Sequence, residues 1–349
     1  MSSGARTSFG ALGPASAGGC LITGATGFIG GHLAARLAGE GWHVRCLARP
    51  TSDTSQIDGL DVEIVEGDLQ DPDSLVRAAA GCRVVFHCAA MVSDWATVAE
   101  ISRVNVRGTQ NLLDAAAGGS VERFVHFSTT DVYGHRGRDE IDETYVGRHF
   151  SNWYAQTKLN AEREVRGAEA ARGLAAVILR PATVYGPRSR EVIGDIARAI
   201  RGGNMLLIDS GRPVAGLVYV DNLIDAAVLA AGHDAAPGQA FNITDGLDVT
   251  WRQFTDDLAR GLGCQGPRWS LPFRAANGIA FTLEQGYRLL RRTAGLRTRP
   301  LLSRQAVHVL GADQLFSNRK IRTVLGWVPR TSYAGGLDAT LAWLRSEGV

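Results

Sequence analysis

A short apolar run at residues 20–23 passes directly into Thr23-Gly24-Ala25-Thr26-Gly27-Phe28-Ile29-Gly30, and apolar residues then recur at Ile29, Leu33 and Leu37. Few folds accommodate this order. A strand must stop abruptly, turn with no Cβ in the way, and restart as a helix with one apolar face. Gly24 permits the tight turn, Gly27 lets main-chain N–H groups approach a ligand, and Gly30 permits close helix–strand packing. The helix N-terminus adds unpaired donors and partial positive charge, which suits a pyrophosphate. The segment predicts the opening of a βαβ unit that holds a dinucleotide through Gly24, Thr26, Gly27, Phe28, Ile29 and Gly30.

The same alternation continues. Strand-like runs at 43–48, 62–65, 84–88, 124–128 and 176–179 are separated by helical patterns at 72–80, 98–117 and 152–172. This rhythm predicts the α/β class, a Rossmann-type doubly wound parallel sheet. After Arg180 it loosens. Residues 217–220 and 240–243 read as strands, and 221–231 and 250–262 as helices begun by N-cap residues. The stretch 269–292 mixes Ile279, Phe281, Leu283, Tyr287, Leu289 and Leu290 with Arg288, Arg291 and Arg292, while 317–349 reads as two helices around a turn at 326–329. The organisation expected is a disordered leader at 1–18, a dinucleotide-binding domain at 19–186 to which 217–245 returns, and a smaller substrate-binding lobe from 187–216 and 246–349. The leader lacks the apolar run of a secretory signal.

Charge narrows the possible partners. Lys and Arg (37) nearly balance Asp and Glu (35), leaving a net charge of +2 and no electrostatic case for nucleic acid. No run of about 18 apolar residues occurs, so no membrane span is expected. The five cysteines form no CxxC pair and no Cys/His cluster. They predict free thiols in a reducing, cytoplasmic compartment and no metal site.

The residues that carry chemistry follow the sheet pattern. Past the second strand, where NAD-selective sites place an acid for the adenosine ribose, the chain reads Ala48-Arg49-Pro50-Thr51-Ser52. A guanidinium there suits the 2′-phosphate of NADP, so Arg49 favours NADP over NAD. Gly67-Asp68-Leu69 follows the third strand, and the Asp68 carboxylate can accept from an adenine amino group. Tyr154-Ala155-Gln156-Thr157-Lys158 puts a phenol and an ammonium on one helix face. The ammonium is expected to lower the phenol pKa from about 10, so that Tyr154 exchanges a proton while a hydride moves to or from nicotinamide. Thr129, at the end of the fifth strand, is placed to donate to the same substrate oxygen. Capping of the strand end is expected from Ser128 and Thr130.

These features together resemble the extended short-chain dehydrogenase/reductase superfamily, of NAD-dependent epimerase/dehydratase type, over roughly residues 19–345. The resemblance rests on TGATGFIG (23–30), GDL (67–69), FHCAA (86–90), NVRGTQNLL (105–113), FSTTDVYG (127–134), YAQTK (154–158) and LRPATVYGP (179–187). It implies that Thr129 is the active hydroxyl. It also places Asn105, the stretch from His87 through Ala89 and Ala90, and the segment from Arg180 to Tyr185 along the cofactor or substrate cleft, with Pro181 and Val184 at the nicotinamide. It further implies a homodimer paired through two long helices.

Two departures choose a branch. Ala215 stands where nucleotide-sugar enzymes carry a phosphate-binding Arg, and Arg212 is out of register. Dehydratases of the family carry an acid pair after the active Thr, whereas this chain has Thr130 and Asp131, leaving Asp131 as a candidate base. The second half is more similar to the 3β-hydroxysteroid and sterol-carboxylate dehydrogenase branch, in VYVDNLIDA (218–226), FNITDG (241–246), LPF (271–273) and FSNRKIRTVLGW (316–327). The expectation is an NAD(P)-dependent oxidoreductase that interconverts a ketone and a secondary alcohol on a hydrophobic small molecule. Thr130, Asp131 and Tyr185 would face that substrate, with 269–292 as an apolar lid carrying basic residues outside. The alternative is a nucleotide-sugar epimerase or dehydratase with tightly bound NAD. A cofactor-sensing regulator on the same fold is disfavoured by the intact Thr129, Tyr154 and Lys158.

Overall fold

The computed structural model describes residues 19–93, 96–134, 139–147, 153–294 and 303–349. The expected leader at 1–18 and the helix start at 152 lie outside them. Side chains of residues 288–289 and 291–294 are also outside the description, so the placing of Arg288, Arg291 and Arg292 on the outer side of a lid is not addressed.

Strand β1 (Gly19–Thr23) is buried at every residue and turns into helix α1 (Phe28–Gly39). Next come β2 (Val44–Ala48), β3 (Glu63–Glu66), α2 (Pro72–Ala79) and β4 (Cys82–His87). Helix α2 starts where the sequence chemistry demands it. The Asp71 side chain accepts from Asp73 N and Ser74 N, and Pro72 fills a position whose N–H would have no helical partner. The expected helix at 98–117 is α3 (Val98–Ser102) and α4 (Gly108–Ala117), joined by a wide π turn at Arg103–Arg107. Strand β5 (Arg123–Phe127), helix α5 (Trp153–Arg172) and strand β6 (Ala176–Pro181) complete the regular part.

One seven-stranded sheet runs in the order β10-β6-β5-β4-β1-β2-β3, where β10 is Ala240–Ile243, and every pairing in it is parallel. Both of its faces are covered. Along β1, Cys20 and Ile22 enter one core cluster and Leu21 the other, as a parallel sheet between helix layers requires. The chain steps outward from β1 through β2 to β3, returns to β4 beside β1, and then steps the other way. The strand order therefore reverses between β1 and β4, and a crevice opens at their C-terminal ends.

The second half departs from the expected plan. Of the two returning strands only β10 joins the main sheet. The other, β9 (Leu217–Tyr219), pairs with a short strand β7 (Thr183–Tyr185). Residues 269–292 are two elements rather than one. Strand β11 (Trp269–Leu271) pairs with β8 (Leu206–Ile208), and beyond Pro272 helix α9 (Phe273–Ala294) begins. Helices α6 (Asp195–Arg201), α7 (Val220–Gly232), α8 (Trp251–Gly261) and α10 (Arg304–Gly311) fill the lobe and its seam with the sheet. The end forms α11 (Arg319–Leu325) and α12 (Tyr333–Ser346) about the left-handed Gly326. All five cysteines are free thiols. Among the described residues no group of side chains could hold a metal, and no helix is long and apolar enough to cross a membrane.

Candidate active site

The β1–α1 turn has the shape of a cradle. Gly24 adopts φ +75°, and a Cβ there would lie 2.7 Å from Ala89 N at the end of β4. At Gly30 a Cβ would lie 2.2 Å from Gly24 O, so this helix can approach the turn only without a side chain. No side chain caps α1, which leaves its first-turn N–H groups to a ligand. Thr26, Gly27, Phe28 and Ile29 remain at least partly exposed beside it, and Ala89 and Ala90 are half-buried across the crevice. A dinucleotide pyrophosphate fits these donors.

The adenosine side is less uniform. Arg49 is exposed past the end of β2, with its N–H donating to Ser52 Oγ at 3.3 Å. The next acid, Asp53, accepts from Ser55 N at 3.0 Å, and that bond holds its carboxyl below the usual range. Asp68 commits one carboxylate oxygen to its own turn. Its Oδ1 accepts Gln70 N at 2.8 Å and shapes the turn into α2, while Leu69 packs into the core under the sheet.

On the other side of the crevice, helix α5 carries Tyr154 and Lys158 one turn apart and packs against the short turn Thr130–Tyr133 that follows β5. Lys158 is buried, and its Nζ donates to Phe127 O at 2.5 Å. Burial lowers the lysine to about 8, opposed by the charges of Glu162 and Cys88. Tyr154 is half-buried, and burial, together with the charge of Asp131, raises its phenol well above the ordinary range. The expected lowering by the ammonium therefore does not prevail, and Tyr154 is held as a protonated donor. Thr129 Oγ1 accepts Asp131 N at 3.2 Å and caps the turn, a task expected of Ser128 or Thr130. Ser128 instead donates to Glu162 at 2.6 Å, and Thr130 is buried. Asp131 accepts from Gln305 Nε2 at 2.9 Å, so the lobe reaches the site through α10.

Several expected cleft residues turn away from the cleft. Asn105 is buried in the π turn, where its Oδ1 accepts Met91 N (2.7 Å) and its Nδ2 donates to Met91 O (3.1 Å) and Thr157 Oγ1 (3.2 Å). It braces the cleft wall and α5 and is not open to a ligand. His87 lies under the sheet end between Thr23 and Thr109. Arg180 is buried in an ion pair with Glu162. Tyr185 is fully buried among Tyr219, Phe254 and Tyr333, so it does not face a substrate. Pro181 is buried at the end of β6 and Val184 half-buried beyond it. Two residues at the site went unnoticed in the sequence. Glu162 repeats the four-residue spacing that links Tyr154 to Lys158, and that spacing was the available signal. Gln305 had none, because it meets Asp131 only through tertiary structure.

A description of the NAD dependent epimerase/dehydratase family matches residues 20–244. The chain belongs to this family. It is an enzyme of the extended short-chain dehydrogenase/reductase type. A 4-hydroxy-2-methyl-3-oxo-4-farnesyl-3,4-dihydroquinoline-1-oxide ketoreductase of Stigmatella aurantiaca is 32% identical over 91% of this chain and 94% of its own length. A 3β-hydroxysteroid dehydrogenase/Δ5→4-isomerase of Mycobacterium tuberculosis is 32% identical over 88% and 85%. Among solved structures, MoeE5 in complex with UDP-glucose and NAD superposes with a TM-score of 0.75 at 27% identity, covering 95% of this chain and 100% of that one.

Proposed function

We propose that this enzyme interconverts a ketone and a secondary alcohol on an apolar small molecule, with NADP favoured over NAD. What supports the reading is that Tyr154 and the buried Lys158 lie one turn apart on α5, that α5 packs on the turn capped by Thr129, and that this turn follows the strand next to the β1–β4 crevice. Bound nicotinamide supplies or accepts the hydride. Tyr154 gives its proton to the carbonyl oxygen in the direction of reduction and recovers it in oxidation. Thr129 uses its oxygen to accept from Asp131, and its own O–H is uncommitted among the described residues, so it serves as second donor to the same oxygen. Lys158, fixed on the Phe127 carbonyl, orients Tyr154 and the nicotinamide ribose.

Exposed apolar residues close in sequence to those of the site support an apolar substrate. Trp153 precedes Tyr154 and is 45% exposed, and Val92, after the tethered Met91, is 61% exposed. Val146 is 75% exposed beside Gly147, whose backbone packs on Val132 and Tyr133. The ketone of the Stigmatella relative is farnesylated, and the mycobacterial one acts on a steroid, by their names. A nucleotide sugar is the weaker occupant. Ala215 is buried with no side chain to offer a diphosphate, and the Arg212 guanidinium is turned onto Asp209 O. Arg49 supports NADP, since it stands exposed past the end of β2 and no acid precedes Asp53, whose Oδ1 accepts Ser55 N. The free thiols suit a cytoplasmic location, and a homodimer is proposed with it.

The test is a panel of apolar ketones offered with NADPH and NADH. Net cofactor oxidation matched to alcohol formed is expected, and Tyr154→Phe should lose about 10²- to 10⁴-fold in kcat while its cofactor Kd changes little. Full activity in Tyr154→Phe would overturn the assignment, and isomerisation of a nucleotide sugar with no net cofactor change would replace it.

A further inference from the structure

Helix α5 carries a third polar residue on the face of Tyr154 and Lys158. Glu162 lies one turn beyond Lys158 and is 2% exposed. Its Oε1 accepts from Ser128 Oγ at 2.6 Å and from Arg180 Nε at 2.9 Å, and its Oε2 accepts from Arg180 Nη2 at 2.6 Å. Arg180 in turn donates to Tyr133 Oη at 2.9 Å, and Tyr133 donates to Asn242 Oδ1 at 2.6 Å.

We propose that Glu162 is a positioning residue of the active site, clamping α5 to the ends of β5 and β6 so that Tyr154, Lys158 and Thr129 keep one mutual geometry. The inference rests on the reading of those three residues given above.

The geometry separates this role from an ordinary buried ion pair. Lys158 holds Phe127 O, and Glu162 holds the side chain of the next residue, Ser128. The same helix thus grips two successive residues of one strand end, and Thr129 comes directly after them. Ser128 N donates to Leu179 O at 2.7 Å, and residue 180 closes the triangle through its guanidinium. The Ser128 corner lies directly before Thr129, and the Glu162 corner one turn from Lys158. A buried pair adds little net stability over a well-packed apolar pair, because desolvation offsets attraction. Conformational definition is the more natural consequence of one placed here.

Charge adds a second effect. Lys158 faces Glu162 on its own helix, His87 and Cys88 at the end of β4, and His126 and the Phe127 carbonyl on β5. Both histidines are held neutral by burial, and burial raises the thiol of Cys88 above its usual range. The neighbouring charge of Glu162 then favours the ammonium. Its removal lowers the pH at which Lys158 stops holding a ribose.

The experiment compares wild type, Glu162→Gln and the double variant Glu162→Leu/Arg180→Met. The double variant removes both charges at similar volume and so keeps a folded reference should the single variant fail to fold. Two quantities are read: kcat and KM on the ketone panel, and the Kd of NADPH and NADH against pH by fluorescence quenching. In the folded variants kcat should fall about tenfold or more with KM within about threefold, the signature of lost transition-state geometry. The alkaline loss of cofactor affinity, centred near the Lys158 value of about 8 in wild type, should move down by about 1 pH unit. An unchanged kcat and an unmoved alkaline limb in the folded double variant would overturn the clamp. Should wild type bind cofactor yet reduce no ketone, the functional reading fails, and the pH limb alone still decides on Glu162.

Discussion

Arg49 shows how much one side chain can decide at a strand end. The tip of β2 is where an adenosine ribose meets the sheet. A carboxylate there would accept from the ribose hydroxyls and repel a 2′-phosphate. In this chain the exposed Arg49 occupies the tip, and Asp53, four residues on, is folded back onto Ser55 N. A guanidinium can take two phosphate oxygens at once, although at an exposed position salt screens part of the gain. Arg49→Ala should therefore weaken NADPH binding about tenfold and leave NADH within about twofold, a difference of about 1.4 kcal/mol in one cofactor only. Isothermal titration at low and moderate salt checks this. An equal effect on both cofactors would mean that Arg49 faces solvent and that the preference for NADP lies elsewhere.

At the scale of elements, β4 and β5 share an apolar environment with two histidines in it. His87 Nδ1 and Nε2 sit 2.7 and 2.9 Å from the hydroxyls of Thr23 and Thr109. Thr109 gives its proton to Asn105 O, so His87 donates through Nε2 and accepts at Nδ1, which fixes a neutral tautomer. His126, with its ring 5.3 Å from that of His87, is fully buried and finds no partner for either nitrogen among the described residues. Burial lowers His87 to about 3 and His126 well below its ordinary value, with the Lys158 charge adding to both. An unfolded chain takes up these protons near pH 6.5 and the folded chain does not. The stability the neutral rings contribute is thus present above about pH 6.5 and is lost as pH falls toward the folded-state values. Each histidine removes about 1.4 kcal/mol per pH unit in that window. His126→Leu should raise the urea midpoint at pH 7, by about 1 to 2 kcal/mol of unfolding free energy, and should make the decline between pH 6 and 4 roughly half as steep. A lower midpoint at pH 7 would show that the ring packs better than it is solvated. The pair was not legible in the sequence. Alternation marks β4 and β5 as strands and predicts burial, but says nothing of which inward residue lacks a partner. The same limit explains the cleft. The glycine turn, the Tyr–Lys spacing and the strand end at Thr129 are local and could be read directly, whereas the destinations of Asn105, Arg180 and Tyr185 depend on what packs against them. The lobe was the least legible part, since β7, β8, β9 and β11 are three-residue strands whose pairing partners lie far away in sequence.

For the molecule as a whole, the question is what keeps the lobe seated on the sheet while only part of it is contributed by regular elements. One residue at the seam carries an unusual share. Asn222, at the start of α7, is fully buried and has every side-chain hydrogen-bonding group engaged. Its Nδ2 donates to Asp245 Oδ1 and to Thr331 O, both at 2.9 Å, while Oδ1 accepts from Arg330 N at 3.0 Å and Thr331 N at 2.9 Å. Its main-chain carbonyl accepts from Trp327 Nε1 at 3.2 Å. Asp245 follows β10 and also accepts Tyr219 N at 2.9 Å, so one amide joins the main sheet, the two-stranded sheet and the turn between α11 and α12. Asn222→Ala would remove the partner of two main-chain donors and of the Thr331 carbonyl and would leave the Asp245 carboxylate with Tyr219 N alone. The cost should be at least about 3 kcal/mol, since each buried group left unmade costs about 1 to 3. The loss should be local before it is global, because the seven-stranded sheet does not depend on these bonds for its own ladder. Limited proteolysis of the variant should cut first between α11 and α12 while the residues of the sheet resist, and cofactor Kd should change less than the melting temperature. If unfolding of Asn222→Ala stays a single transition, with the turn at 326–332 no more accessible than in wild type, the lobe is held chiefly by its apolar contact with α7 and α8 rather than by this hub.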